Sequence, residues 1–233
     1  MSKRLEILIG ACFYYSGLVK LARWRTRRAG PKLIILCYHH AVGKNFRQQL
    51  LYLSRHYRIL HLEAALEELY KPQKDGPQRK EQRTLLALTF DDGSYDNYTD
   101  GLAAAREMQI PMTVFLIPGY IESGERFWWQ EPDQLLLHAK VREATIDEHT
   151  YHLDKPDEQK ALIRVIEARL RLATSVAERE AFLVAVRKVL AVPSSTYAEE
   201  KPTLPLTWPE VHEMEDSSWI SFGGHTMRHP ILG

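Results

Sequence analysis

A strand–helix–strand pattern in the middle of the chain constrains the fold more than any other feature. The apolar runs 85–90 (LLALTF) and 112–117 (MTVFLI) each predict a buried strand. Between them, Asp96 or Asn97 is a candidate helix cap, and the helix is expected to run to about Met108. Strands joined through a helix by short connections lie parallel in one sheet. We therefore expect an α/β fold that binds its ligand at the carboxyl ends of the strands.

The remaining segments extend this pattern. Apolar runs at 33–37, 57–60 and 218–222 predict three more strands, and helical spacing marks 46–56 and 61–70. Residues 158–191 are strongly helical with a break near Thr174-Ser175, and no strand signal occurs in 130–205. We expect residues 130–205 to be a helical insertion whose apolar stripes pack internally.

Residues 1–30 form a basic, apolar N-terminal arm, separate from the domain at 31–233. The arm carries seven Lys or Arg against one acid and is therefore +6, while the whole chain is +1. Its apolar run 7–19 would make about 20 Å of helix, short of the ~30 Å hydrocarbon core of a bilayer. A helix packed on the body or lying on a membrane surface, an uncleaved anchor and a signal peptide all remain open.

Net charge and cysteine content exclude some functions and favour a location. A chain with a net charge of +1 is not expected to bind nucleic acid as a whole. Two cysteines, Cys12 and Cys37, provide neither a disulfide framework nor a CxxC metal pattern. A cytoplasmic or peripheral-membrane location is favoured over secretion.

Two polar clusters follow predicted strands. The first is Asp91-Asp92-Gly93, where the glycine permits a turn that could aim both carboxylates at one opening. A solvated Asp-Asp-Gly turn is the competing interpretation. The second cluster is His225 and His229, which are followed by Pro230 and so do not lie on a continuous helix. One carboxylate and two imidazoles would make a three-ligand site for a divalent metal with a position left for water.

These clusters resemble the first two motifs of a known family. TFDDG (89–93) and HTMRHP (225–230) are similar to those of the polysaccharide deacetylase family, the NodB-homology carbohydrate esterases. The resemblance extends over about 33–121 and 207–233, with the insertion outside it. It implies a deformed (β/α) barrel, here partial, and removal of acetyl groups from the N-acetylated sugars of a polysaccharide.

The resemblance also implies a role for each motif residue. Asp92, His225 and His229 would be the ligands of a divalent metal, with zinc the expected ion. Asp91 would be the general base that takes a proton from the attacking water. His39, which follows the 33–37 strand, resembles a tyrosine–histidine pair of circularly permuted members and could protonate the leaving nitrogen. A purely structural hydrogen bond at His39 is the alternative, and His40 is expected to point the other way.

The sequence departs from the family after the second motif. The later motifs would supply an arginine–proline stretch, an acid that tunes the base and a distal histidine that acts as general acid, and they do not occur in the 233 residues. We expect residues 31–233 to be an incomplete domain: part of a larger enzyme, a truncated frame or a degenerate copy. A non-catalytic relative that binds glycan or a partner is therefore the alternative function.

One aromatic cluster is a candidate sugar platform. Phe127, Trp128 and Trp129 follow the 112–117 strand, and flat aromatic faces stack on pyranose rings. Aromatic side chains are also common in cores, and that interpretation stays open.

Overall fold

The structure is a computed structural model that describes residues 3–28, 32–43, 45–71, 84–193 and 204–231. Two helices, α1 (Lys3–Tyr15) and α2 (Leu18–Arg28), precede the domain. The domain begins with β1 (Leu33–Tyr38), α3 (Phe46–His56), β2 (Arg58–Ile59), α4 (Leu62–Tyr70) and β3 (Leu85–Phe90). A π-helical segment (Asn97–Leu102) runs directly into α5 (Ala103–Met108), which leads to β4 (Met112–Leu116).

The second half contains helices, a hairpin and the last strand. After β4 come α6 (Pro118–Ser123), α7 (Glu131–Leu137), β5 (Glu143–Ile146) and β6 (His149–His152). They are followed by α8 (Pro156–Leu172), α9 (Val176–Val189), α10 (Trp208–Asp216) and β7 (Ile220–Gly224). The predicted helix break is confirmed, because Ser175 caps α9 by accepting a hydrogen bond from the Glu178 amide.

A parallel sheet organises the domain and confirms the predicted α/β class. The strands run in the order β1-β3-β4-β7, and β2 pairs with the start of β3. All six residues of β3 are buried, as a central parallel strand requires. The architecture is a partial (β/α) barrel. Since parallel strands end at the same edge, the segments that follow β3, β4 and β7 meet there.

Strand β1 differs from its prediction as a buried strand. It pairs only with β3 among the described strands, and Ile35 is 52% exposed. An apolar run predicts a strand but cannot tell an edge position from a central one, because the covering neighbours come from elsewhere in the chain.

The prediction that 130–205 has no strands was wrong. Strands β5 and β6 form an antiparallel hairpin that buries Ala144, Ile146 and Tyr151. Its turn residues Asp147 and Glu148 have φ of 49° and 65°. Such two-residue turns usually show Gly or Asn, so Asp-Glu provided no turn signal.

The insertion builds a second core. Leu162, Ile166 and Leu170 line the buried face of α8 and pack with Leu190 and the hairpin. The sheet has a separate core that includes Phe90, Leu88 and Leu50. The helical stripes of the insertion therefore pack internally, as expected.

The two N-terminal helices leave much of their apolar surface exposed. The exposed side chains are Leu5, Ile7, Leu8, Ile9, Phe13, Tyr14, Tyr15, Leu18, Leu21 and Trp24. Contact with the body occurs through Tyr52 on α3, whose hydroxyl accepts a hydrogen bond from Arg23. No helix in the described residues is both long and apolar enough to cross a membrane.

Candidate metal centre

A left-handed turn at the end of β3 carries the first pair of acids. The Asp91 amide donates to the Tyr38 carbonyl at 2.9 Å and so extends the β1–β3 ladder by one residue. Asp92 and Gly93 then adopt φ of 73° and 68°. A Cβ at residue 93 would lie 2.7 Å from a Leu116 methyl group, so glycine meets both a conformational and a steric need. The turn buries Asp92 and leaves Asp91 partly exposed.

The second motif follows β7 and packs beside the end of β4. The His225 amide donates to the Leu116 carbonyl at 2.6 Å, and the Gly119 amide donates to the Met227 carbonyl at 3.0 Å. Because β4 lies between β3 and β7, these bonds bring the histidines to the same edge of the sheet as Asp92.

Three side chains converge at that edge. Oδ1 of Asp92 lies 3.7 Å from Nε2 of His225 and 3.7 Å from Nε2 of His229. The ligand atoms of all three residues lie within 4.8 Å of one another. Two atoms that each coordinate zinc at ~2.1 Å in a tetrahedral site are about 3.4 Å apart. The arrangement therefore fits a divalent metal.

Hydrogen bonding and burial agree with that fit. Oδ1 of Asp92 and Nδ1 of His229 are buried without a hydrogen-bond partner among the described residues. Burial is the main reason that the pKa of Asp92 is raised and the pKa of His229 is lowered. A lowered pKa keeps the imidazole neutral, which is the form that binds a metal. A cation beside Asp92 would stabilise its carboxylate against the cost of burial.

Asp91 has a partner that the sequence did not suggest. The thiol of Cys37, on β1, donates to Oδ2 of Asp91 at 3.0 Å. Burial, together with the Asp91 carboxylate, raises the pKa of the Cys37 thiol to about 11. The thiol therefore stays protonated at neutral pH and serves as a donor to the candidate base. Register explains the contact, because Cys37 pairs with Thr89 two residues before Asp91.

His39 and His40 follow β1 at the same edge of the sheet as Asp91 and Asp92. The His39 side chain is exposed, and its charge lowers the pKa of Asp92. Nδ1 of His40 instead lies 3.3 Å from Asp96, which also accepts a hydrogen bond from the Ala41 amide at 2.7 Å. Asp96 occupies the N-cap position of the π-helical segment but makes no capping hydrogen bond. Its carboxylate instead binds His40 and the Ala41 amide in the loop between β1 and α3. The predicted capping role of Asp96 was wrong.

The aromatic cluster divides into two parts. Phe127 and Trp128 are 1% and 6% exposed and belong to the second core, so they offer no platform to a sugar. Trp129 is partly exposed, and its ring centroid lies 4.8 Å from that of His229. Phe127 stacks on Trp129 at 4.7 Å and fixes the plane of its ring. Only Trp129 is placed to contact a ligand at the site.

Arg179 on α9 also reaches the second motif. Its guanidinium donates to the backbone carbonyls of Arg228 and His229, and the indole of Trp128 donates to the latter. An arginine in an amphipathic helix has no sequence signature of such a role, since α9 is far from the motif in the chain.

Comparison with known families agrees with the motifs. Residues 78–167 match the sequence profile of the family described as polysaccharide deacetylase, and the match contains the first motif and the β3–β4 unit. The match covers 90 of the 233 residues and supports the family that the motifs resemble. The matched segment includes α7, the hairpin and part of α8, which the resemblance was expected to exclude, and it ends before the second motif.

Several solved structures of deacetylases are similar to this chain. The BpsB deacetylase domain from Bordetella bronchiseptica is 11% identical over 84% of this chain and 55% of its own, with a TM-score of 0.40. A de-N-acetylase from Aggregatibacter actinomycetemcomitans is 12% identical over 85% of this chain and 54% of its own, with a TM-score of 0.35. IcaB from Ammonifex degensii is 18% identical over 86% of this chain and 88% of its own, with a TM-score of 0.35.

These likenesses are too distant to carry an argument about function. The chain spans about half the length of the first two solved structures. No curated protein matches the sequence.

Proposed function

We propose that this chain is a metal-dependent hydrolase that removes acetyl groups from the N-acetylated sugars of a polysaccharide, breaking a carbon–nitrogen bond that is not a peptide bond. The observation that carries the proposal is the convergence of Asp92, His225 and His229 beside Asp91. The match of residues 78–167 to the polysaccharide deacetylase family supports the substrate class, and the carboxylate–imidazole set gives the means of hydrolysis.

Asp92, His225 and His229 would hold the metal. A bound divalent cation, with zinc our expected ion, would act as a Lewis acid that polarises the acetamide carbonyl and lowers the pKa of water. Asp91 is exposed enough to meet a water at the opening and accepts the proton of the attacking water as general base. Because the Cys37 thiol donates a hydrogen bond to Oδ2 of Asp91, Oδ1 is the oxygen that is free to accept the proton of the water.

His39 is our candidate for the general acid. Hydrolysis of an amide releases an amine, and its nitrogen must gain a proton as the bond to carbon breaks. The His39 side chain is exposed at this edge of the sheet, and it is close enough to Asp92 that its charge lowers the pKa of that carboxyl group. A structural role for His39 is the alternative, and the variant His39→Gln separates the two.

Trp129 would form one wall of the sugar site. Its ring lies beside His229 and is backed by Phe127, so a pyranose could pack against its remaining surface.

The test is acetate release from N-acetylglucosamine oligomers by the purified, zinc-loaded protein. We expect turnover in the wild type, a loss of at least about 100-fold in Asp91→Asn, and loss of bound metal in Asp92→Ala. Absence of turnover with metal and glycan still bound would favour the alternative, a non-catalytic glycan- or partner-binding relative. Absence of metal binding would overturn the metal site itself.

We also propose that residues 1–30 contact an anionic membrane surface, which makes the protein peripheral to a membrane. Support comes from the +6 charge of this arm and from exposed apolar side chains such as Leu8, Phe13 and Trp24. Basic groups next to exposed aromatic and aliphatic ones suit the boundary between headgroups and acyl chains.

Co-sedimentation with vesicles tests the membrane proposal. We expect binding to vesicles that contain anionic lipid, weakened by added salt and by the double variant Leu8→Glu, Phe13→Glu. Leu172→Glu is the matched control, because Leu172 is 77% exposed on α8. Equal sedimentation of all variants would contradict the proposal.

A further inference from the structure

Two side chains from outside both motifs bind the backbone of the second motif. Nη1 of Arg179 donates to the His229 carbonyl at 2.9 Å, and Nη2 donates to the Arg228 carbonyl at 2.6 Å. Nε1 of Trp128 donates to the same His229 carbonyl at 3.1 Å. One carbonyl oxygen therefore accepts hydrogen bonds from two buried side chains that lie far apart in the chain.

The backbone that they hold needs external support. Thr226 and His229 have φ of 64° and 48°, in the left-handed region that residues with a Cβ rarely adopt. Such conformations persist only where surrounding contacts determine them. Within the motif, the Thr226 hydroxyl accepts a hydrogen bond from the His229 amide at 3.0 Å. The backbone carbonyl of His229 is held by hydrogen bonds from the side chains of Arg179 and Trp128.

The placement of Arg179 is explained by this contact. The residue is 3% exposed, and a buried guanidinium loses its hydration. Here the two carbonyl oxygens accept hydrogen bonds from Nη1 and Nη2, and the central guanidinium carbon lies 4.9 Å from the Trp128 ring centroid. An apolar side chain would fill the same position of α9 without that loss of hydration. Packing alone therefore does not account for an arginine at residue 179.

We propose that Arg179 and Trp128 form a clamp that sets the backbone of His229 and thereby aims its imidazole at Asp92. Both are positioning residues, since neither reaches the candidate ligand atoms. Nδ1 of His229 has no hydrogen-bond partner among the described residues, so the ring orientation depends on its backbone and on packing against Trp129. The chemical consequence, a correctly formed metal site, rests on the proposed function.

The clamp gives the insertion a role beyond its own core. Trp128 precedes α7 and belongs to the second core, and Arg179 lies on α9 and is buried against the Trp128 ring. A change in the packing of that core would move these two side chains and so shift the His229 carbonyl that they bind.

Titration of the purified protein with cobalt, read by its visible absorption, tests the clamp. We expect Arg179→Met to weaken cobalt binding about 10- to 100-fold, as is usual when a group that orients a ligand is removed. Arg179→Lys should recover part of the affinity, because an ammonium can still donate to one carbonyl. The control is Lys188→Met, which removes a cation from an exposed position of the same helix.

A second, smaller substitution tests the clamp in case Arg179→Met fails to fold. Trp128→Phe keeps an aromatic ring but removes the N–H donor, so it should weaken cobalt binding less than Arg179→Met does. Equal affinities in the wild type, Arg179→Met and Trp128→Phe would overturn the clamp and leave the metal site standing. If the wild type takes up no cobalt, the proposed metal site is wrong. The clamp is then tested separately, by comparing the imidazole ¹⁵N resonances of His229 in the metal-free wild type and variants. The clamp then requires the His229 resonances to shift in Arg179→Met and to stay unchanged in Lys188→Met, and any other result overturns it.

Discussion

The Cys37 thiol lies 3.0 Å from Oδ2 of Asp91 and donates a hydrogen bond to it. The two residues come from neighbouring strands, and the bond ties β1 to the candidate base. A carboxylate held on one oxygen presents the other to the opening in a defined direction. This relationship makes Cys37 part of the site although it ligates nothing.

The reactivity of Cys37 provides the first prediction. Because its pKa is raised to about 11, we expect slow alkylation by iodoacetamide at pH 7.5, since only the thiolate is the nucleophile. Asp91→Asn removes the charge and the strong acceptor, so alkylation should become faster in that variant. Mass spectrometry of Cys37 peptides gives both rates, and exposed Cys12 is the internal reference. A rate at Cys37 that matches Cys12 in the wild type would contradict the assignment.

Metal addition should raise the melting temperature of the wild type but not of Asp92→Asn. A ligand at 100 times its Kd stabilises a protein by about 2.7 kcal/mol. The amide of Asn is a poor substitute for a carboxylate that is 10% exposed between two imidazoles. Scanning calorimetry with and without zinc measures the difference, and a chelator should reverse it. Equal shifts in both proteins would place the metal elsewhere.

The metal-free wild type should lose stability with rising pH because of Asp92. Its pKa is raised in the folded state, mainly by burial. The folded protein therefore holds this proton more tightly than the unfolded chain, whose Asp pKa is about 3.9. Its contribution is present below the unfolded pKa and is lost as pH rises through the folded pKa. The free energy of unfolding of Asp92→Asn, measured by urea denaturation across the same range, should lack this component.

His40 and Asp96 should show the pH dependence of a partly exposed ion pair. The Asp96 hydrogen bond raises the pKa of His40, so the stabilisation is present below about 6.5, the ordinary His value, and is lost above the raised pKa. The His40 side chain is 51% exposed, and we therefore expect less than about 1 kcal/mol. The difference in unfolding free energy between wild type and His40→Gln, measured at pH 5.5 and 8.5, should be larger at pH 5.5. An equal difference at both values would show that the pair carries no charge-dependent stability.

Gly119→Ala should disturb the second motif. An added Cβ would lie 2.2 Å from the Met227 carbonyl oxygen, so backbone must move. We expect a loss of about 1–3 kcal/mol in stability, together with weaker zinc binding. Gly10→Ala is the matched control, because a Cβ there meets nothing within 4 Å. Similar effects of the two substitutions on zinc binding would contradict a specific role for Gly119.

Local patterns predicted most of the fold and the candidate ligands. The βαβ unit follows from apolar runs around a helical segment, and the observed β3, α5 and β4 match it closely. Asp92, His225 and His229 were found because carboxylate and imidazole are metal-binding groups, and because TFDDG and HTMRHP resemble two motifs of one family. Parallel strands then place them at one edge, because all carboxyl ends of such strands face the same way.

The sequence by itself determined the α/β class, the position of the five strands of the parallel sheet and the identity of the residues that converge. Only the tertiary structure decided that β1 lies at an edge, that Cys37 meets Asp91, and that Arg179 holds His229. The reason is physical. Hydrophobic periodicity and turn chemistry act over a few residues, whereas these contacts join segments far apart in the chain, whose partners are set by register and packing.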